Sequence, residues 1–551
     1  MSSFRLEQQY LKLWDKFEGK QQLTNLQSLS EYMFCTKRHM RTLLNSMESA
    51  GWVQWESQPG RGKQSKLTFL KSSQSLRQNR AQELLEQDNI DQLLHLVGDK
   101  ESVKQLILAR LGQSFRQGKY LLRVLYYRPM TNLIPWTPLR RSETHIVRQI
   151  FNGLVKINED SGEVEPDIAH HWQEISQNQW RFWIRPGIRF HHDRDLEMED
   201  IVYSISGFFE RNAFLKIDKI ECPAPLVIDI FTEEYNKWLP HLLSTNGSMI
   251  LPREWQSLEN FESYPKGTGA YSVERNSKNQ LKIKAFDSYF GYRALLDEVS
   301  VWVLDDLAKN IDVKIKMSTE ENNLTEVETR LEDGCYYLLF DKRSKIGRNS
   351  IVKQWIAKVL NPLAILTKSQ RYCQERWSPA NNIIPSWYYA DGFDDVEKPE
   401  QLSSVKITHF SNHPEHIILI NCIKDILKEY KVRLDVQEVD YNQWFEGNLD
   451  SDIWMGSANF SPPLEFSFIF YFLDIPLFHK CLENDIYDLI PKWKSGFLHP
   501  QEVSNDFLRT NSLLPLVHNR LIIEGNRCVR GMKMNALGWF DFKSAWYAPN
   551  I

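Results

Sequence analysis

No run of about 20 apolar residues occurs in this 551-residue sequence, so no stretch of it is expected to cross a bilayer as a helix. The opening Met1-Ser-Ser-Phe-Arg-Leu-Glu-Gln-Gln lacks the apolar core of a secretory signal, and a cytoplasmic protein without membrane contact is expected. Cysteine is scarce and scattered. Cys35, Cys222, Cys335, Cys373, Cys422, Cys481 and Cys528 are odd in number and contain no Cys-x-x-Cys pair, which argues against a disulfide frame or zinc site and for reduced, buried thiols. The pairs His170-His171 and His191-His192 diverge on either a strand or a helix, so no metal site is assigned. Gly267-Thr-Gly269 is too short for a phosphate loop, and there is no dinucleotide fingerprint. No nucleophile stands beside an evident base; catalytic residues and cofactors are therefore expected to be none, and the protein not to be an enzyme.

What is present is an ordinary globular composition, 42% hydrophobic and 25% charged, with length for three or four domain-sized units. The net charge is −4, but its distribution is uneven. Between residues 36 and 66 stand Lys37, Arg38, Arg41, Arg61, Lys63 and Lys66 against Glu48 and Glu56, a local balance of +4 on an acidic chain. Such a patch suits a phosphate backbone.

The same region carries the clearest structural pattern. Thr36 suits the N-cap of a helix Lys37 to Ala50, and Gly51 suits the left-handed residue that ends it. At 100° per residue, Met40, Leu43, Leu44 and Met47 fall on one stripe and Arg38, Arg41, Thr42, Asn45 and Ser49 on the opposite one. Leu26, Leu29 and Tyr32-Met33 repeat at helical spacing over Thr24 to Phe34, leaving Cys35 and Thr36 for a tight turn. Trp52 to Glu56 and Lys66 to Leu70 read as paired strands around the basic, glycine-rich Ser57-Gln-Pro-Gly-Arg-Gly-Lys63. A helix Phe4 to Phe17 supplies a third wall. Together these make a winged helix-turn-helix, with the helix-turn-helix about 26–49 and the wing about 52–70. The expected partner is double-stranded promoter DNA. Arg41 and Asn45 are expected at base edges, with Arg38 and Thr42 on the same face and Arg61 and Lys63 on phosphates.

Residues 72–111 show helical period and polar outer faces, Leu76, Leu84-Leu85, Ile90, Leu93-Leu94, Val103, Leu106-Ile107 and Leu111 marking two or three connecting helices. The pattern changes at Ser114-Phe-Arg-Gln-Gly118, and Tyr120 to Tyr127 begins as a strand. A first domain of 1–115 and a second of 116–551 are expected. The tryptophans Trp172, Trp180, Trp183, Trp444 and Trp454 suit either a core or a ligand wall, the core being favoured for each.

A family resemblance covers most of residues 120–551. Arg148-Gln-Ile-Phe-Asn-Gly-Leu154, Glu165-Pro-Asp-Ile-Ala-His-His-Trp172 and Trp180-Arg-Phe-Trp-Ile-Arg-Pro-Gly-Ile-Arg-Phe-His-His-Asp193 resemble the large oligopeptide-type, family 5 solute-binding proteins, as do Gly267-Thr-Gly-Ala-Tyr271, Phe286 to Tyr292, Tyr336 to Asp341 and Asp452 to Met455. The core of that domain is about 163–492. Ala270 stands where the family has proline, His192-Asp-Arg-Asp195 departs from its Asp-Gly turn, and no acidic anchor for a peptide amino group is matched. The resemblance implies a two-lobed α/β clamp of the periplasmic-binding-protein kind, one lobe built from about 116–335 and 506–551 and the other from 336–505. No ligand-contact residue is assigned.

With Arg38-His-Met-Arg-Thr-Leu-Leu44 and Gly60-Arg-Gly-Lys63 at one end and Leu537 to Trp546 at the other, the whole chain resembles an enterobacterial family of sugar-phosphate-stress regulators. That resemblance implies activation of a small-RNA gene that limits sugar uptake, repression of the regulator's own gene, and a small-molecule ligand such as a sugar phosphate. Where ligand leaves DNA affinity unchanged, control would act through RNA polymerase. Two rivals are a solute-binding component of a transport system and an enzyme built on the same fold.

Overall fold

A computed structural model describes residues 3–58, 64–96, 111–116, 118–212, 214–304, 315–316, 324–370, 376–389, 396–526 and 529–548. The chain divides into two compact units, Met1–Arg110 and Leu111–Ile551. The division falls a few residues ahead of the expected boundary, because strand Gly112–Arg116 forms a hairpin with Lys119–Tyr126 and so belongs to the second unit's sheet.

The first unit begins with helix α1 (Ser3–Phe17), strand β1 (Gln22–Thr24), helix α2 (Leu26–Tyr32) and helix α3 (Lys37–Ser49). Strands β2 (Val53–Glu56) and β3 (Ser65–Phe69) follow. The expected helix over Thr24 to Phe34 is shorter than its periodicity suggested. Asn25 accepts a hydrogen bond from Ser28 N at 2.9 Å and starts the helix itself, while Thr24 pairs with Ser65 in the order β1-β3-β2. A short polar side chain at the cap and a β-branched residue before it favour that division. Thr36 caps α3 through His39 N at 3.2 Å, and Gly51 takes φ +71° after it. Tyr10, Leu13, Leu29, Met40, Leu43, Leu44, Met47, Val53, Leu67 and Leu76 close the core, so the α3 stripe is buried as its spacing predicts. Helices α4 (Ser73–Glu86) and α5 (Ile90–Leu96) complete the described part. The expected helical stretch through Val103 and Leu106-Ile107 lies outside the described residues.

The second unit is built on one long mixed sheet. It runs from Tyr271–Asn276, Gln280–Ala285 and Glu298–Val303 through Lys119–Tyr126 to Leu513–Asn526, and on through Tyr336–Phe340, Ile453–Ser457 and Ser404–Phe410 to Arg433–Val439. The strand Leu513–Asn526 serves both lobes: Leu513 to Val517 pair with Tyr336 to Leu339, and Arg520 to Asn526 pair with Leu324 to Leu331. The crossing between lobes therefore lies inside that strand and not at 505/506. Alternation along Tyr336–Phe340 divides two cores, with Tyr336, Leu338 and Phe340 on one face and Tyr337 and Leu339 on the other.

A separate antiparallel sheet of Ala169–Ser176, Gln179–Ile184, Val227–Thr232 and Ile217–Ala224 is appended to the first lobe. After Gln179–Ile184, Gly187 turns the chain at φ +74° toward helix Met198–Arg211, whose N-terminus carries a Glu197/Asp200 capping box. The altered turn is tied down by Arg194, which donates to Asp200 at 2.8 and 2.9 Å and to Glu254 at 2.6 Å. Cys335, Cys422 and Cys481 are buried and in no disulfide, whereas Cys222 is exposed on a strand, Ile217–Ala224, most of whose residues face solvent.

Candidate nucleic-acid interface and ligand cleft

In the first unit, α3 presents Arg38, Arg41, Thr42 and Asn45 to solvent along one face while its opposite stripe is in the core. Neither arginine has an ion pair among the described residues. Thr42 Oγ1 donates to Arg38 O at 3.1 Å, so its hydroxyl proton is spent on the helix. Glu48 accepts from Trp55 N at 3.0 Å, which fixes α3 against β2. Lys66 lies 3.9 Å from Glu56 across the hairpin, so this lysine adds less free charge than the sequence count implied. The other two expected contacts, Arg61 and Lys63, lie outside the described residues.

In the second unit, a cavity of about 890 Å³ opens between the lobes. Asn152, Asp167, Tyr289 and Lys543 line it from the first lobe, and Tyr441, Phe445, Phe470, Tyr471 and Asp474 from the second. The Gly267-Thr-Gly269 turn backs this wall from behind, through Asn152. Gly269 N donates to Ile150 O at 2.7 Å, and a Cβ at Gly267 would stand 2.1 Å from the same oxygen, so only glycine permits the approach. Between the two glycines Thr268 donates to Asn152 Oδ1 at 3.0 Å, and Asn152 Nδ2 donates to Asp167 at 2.8 Å. Burial, only partly offset by that hydrogen bond, raises the Asp167 carboxyl to about 6.

Asp474 ends the apolar helix Leu464–Asp474 and opens onto the cavity, which accounts for its accessible side chain. Enclosure by the surrounding protein nevertheless raises its carboxyl to about 6, and no hydrogen bond or ion pair reaches it among the described residues. Tyr471 accepts or donates at 2.9 Å with Tyr337 and donates to Ser457 O at 3.2 Å. The basic groups here are largely engaged. Arg148 pairs with Glu159, Lys533 with Asp160, and Lys156 with Glu165 at 3.3 Å. The cavity is thus lined by acidic, basic and aromatic residues together, a composition suited to a polar organic solute with both hydrogen-bonding edges and apolar faces.

Two contacts close the clamp at its sides. At the start of helix Arg141–Ile150, Arg140 donates to Ser411 O and to Asn412 O at 3.1 Å and lies 4.7 Å over the Phe410 ring. Its neighbour Arg141 pairs with Glu332 at 2.5 Å and donates to Ala458 O at 3.4 Å. On the other flank Trp238 Nε1 donates to Trp493 O at 2.7 Å and packs against Phe466.

The sequence located helix α3 and implied a cleft between two lobes, but it assigned no residue to the cleft, and it favoured the core for each tryptophan. Trp444 and Trp454 are fully buried core residues, and none of the five tryptophans weighed as ligand walls lines the cavity. The usable signal was the isolated carboxylate at Asp474 after an apolar run. His191 is instead bonded to Gly269 O at 2.9 Å and His192 to Glu254 at 3.1 Å.

A winged helix-turn-helix followed by a two-lobed solute-binding fold defines a transcriptional regulator whose second unit has the architecture of a ligand clamp. Comparison with known proteins sharpens this. Residues 5–118 match the family model described as sugar transport-related sRNA regulator N-term, and residues 163–334 match bacterial extracellular solute-binding proteins, family 5 middle. The chain is 48% identical over 549 residues to the HTH-type transcriptional regulator SgrR of Escherichia coli strain K12, covering 100% of both chains. It is 48% identical over 550 residues to that of Salmonella typhi, again covering 100% of both. The chain belongs to the SgrR family of HTH-type transcriptional regulators.

Among solved structures, it is similar to the periplasmic binding protein DppA from Helicobacter pylori in complex with peptide STSA, at TM-score 0.63 and 16% identity over 81% of this chain and 99% of that one. It is also similar to the Escherichia coli murein tripeptide binding protein MppA, at TM-score 0.61 and 12% identity over 80% and 100%. These likenesses establish the fold. No described helix is long and apolar enough to cross a membrane.

Proposed function

We propose that this regulator reads promoter DNA through the exposed face of α3 and senses a small molecule in the cleft of its second unit, working in the cytoplasm by recognition and not by catalysis. The carrying observation is the division of α3 itself. Its apolar stripe is buried, whereas Arg38, Arg41, Thr42 and Asn45 are exposed on the other side, with Arg61 and Lys63 assigned to phosphates from the wing. The family description, a sugar transport-related regulator of small RNA, supports a sugar phosphate or related metabolite as ligand. In this reading the regulator activates a small-RNA gene and represses its own gene. Where ligand binding leaves DNA affinity unchanged, contact with RNA polymerase carries the signal.

The test is a binding titration with Arg41→Ala. A base-edge contact from this arginine gives a loss of about 1–3 kcal/mol on the selected promoter site and much less on random DNA. Equal losses on both would refute the assignment of α3.

A further inference from the structure

The residue that closes α2 breaks a local rule, and nothing among the described residues compensates for it. Phe34 takes φ +50°, its N–H donates to Glu31 O at 3.2 Å, and Cys35 N–H donates to Ser30 O at 2.9 Å. That pair of bonds is the Schellman closure, whose left-handed position glycine fills without a Cβ clash. Gly51 fills the corresponding place after α3. A phenylalanine there is strained, and its ring makes no packing contact that would offset the strain. It is 97% exposed, with no ring partner among the described residues. Tyr32, two residues earlier, shows the contrast, since its ring is held under Lys16 Nζ at 3.8 Å.

A large apolar group held in a strained, solvent-facing position points to something outside the chain. The charges around it identify the partner. Lys37, Arg38 and Arg41 follow it on exposed α3 positions, so the surface that carries the ring attracts a polyanion. Recognition helices enter the major groove with their N-terminal residues leading, and Phe34 stands just before the N-cap Thr36. The apolar feature of that groove is the thymine methyl, for which phenylalanine is a suitable contact.

We propose that Phe34 is a DNA-contacting residue that packs its ring on a thymine methyl at the edge of the groove entered by α3. The proposal rests on α3 being the recognition helix. Its test uses the full-length chain and a duplex that the wild type selects from random sequence, together with copies in which each thymine is singly replaced by deoxyuridine. The expected result is that the wild type loses affinity about threefold or more at one thymine. Phe34→Gly should bind the parent duplex more weakly, ignore that replacement, and unfold no lower than the wild type. The proposal is overturned if the wild type is indifferent to every replacement, or if Phe34→Gly binds the parent duplex undiminished. It is equally overturned if Phe34→Gly alters only self-association, because the ring then serves a second copy of the chain. Arg41→Ala separates the two ideas: undiminished specific binding by that variant sinks the α3 reading, whereas the thymine scan on the wild type reports on Phe34 alone.

Discussion

Replacing Arg128 by methionine tests whether the helix that carries the inter-lobe contacts is anchored by a buried ion pair. Arg128 is 7% exposed and Glu143 8% exposed, and the guanidinium grips the carboxylate with two parallel bonds, one of them 2.6 Å from Nη2 to Oε2. Glu143 stands in the first turn of helix Arg141–Ile150, the same helix end that carries Arg140 and Arg141, so the pair orients the helix end that reaches the second lobe. Methionine fills much of the arginine stem but leaves the carboxylate buried without that cation. Breaking such a pair from one side costs about 3–5 kcal/mol, while replacing both partners by apolar residues of similar volume is often close to neutral. The second unit, Leu111–Ile551, has roughly 440 residues and an unfolding entropy near 0.9 kcal/mol per kelvin, so the single replacement should lower its midpoint by about 3–5 °C. Most of that loss should return in Arg128→Met with Glu143→Met, so the double variant should be far more stable than the two single losses added together would allow. Calorimetry on the full chain, with the four members of the cycle compared, measures it. A single variant that melts within 1 °C of the wild type, or a double variant that melts lower than either single one, would refute the anchoring role.

Acid should destabilise the second unit through His145, whose imidazole is pushed down to about 3 by burial first and by Arg148 second. Its folded value lies below the unfolded one, so the native state binds fewer protons and stability falls as pH drops from about 6.5 toward 3, by up to about 1.4 kcal/mol per pH unit. His145→Phe, which can retain the stacking on Trp539, should remove one proton from the slope of stability against pH; an unchanged slope would show that this histidine is not the acid-sensitive group. Behind the cleft, Gly267→Ala would drive a methyl into Ile150 O and displace the Thr268–Asn152–Asp167 chain, lowering the midpoint by about 1–3 °C. An unaltered midpoint would mean that the turn yields without cost.

The α3 stripe of Met40, Leu43, Leu44 and Met47, its Thr36 cap, the Gly51 exit and the paired wing strands were all legible in the residues alone, because each depends on neighbours within a few positions. The clamp was legible only through family motifs, and its interior was not. Asp167 and Asp474 are ordinary carboxylates in the sequence, and become raised acids only where the folded protein desolvates them. Trp444 and Trp454 could stand in a wall or a core on composition alone; the strands and helices packed around them put both in the core. Phe34 reads locally as one more apolar residue of α2, and only the Schellman closure turns it outward at a strained angle. Short-range periodicity and capping determine which segments form and which face each buries. The field at a side chain, the space in front of it and the partner across a cleft depend on residues hundreds of positions away, and those the tertiary structure alone decided.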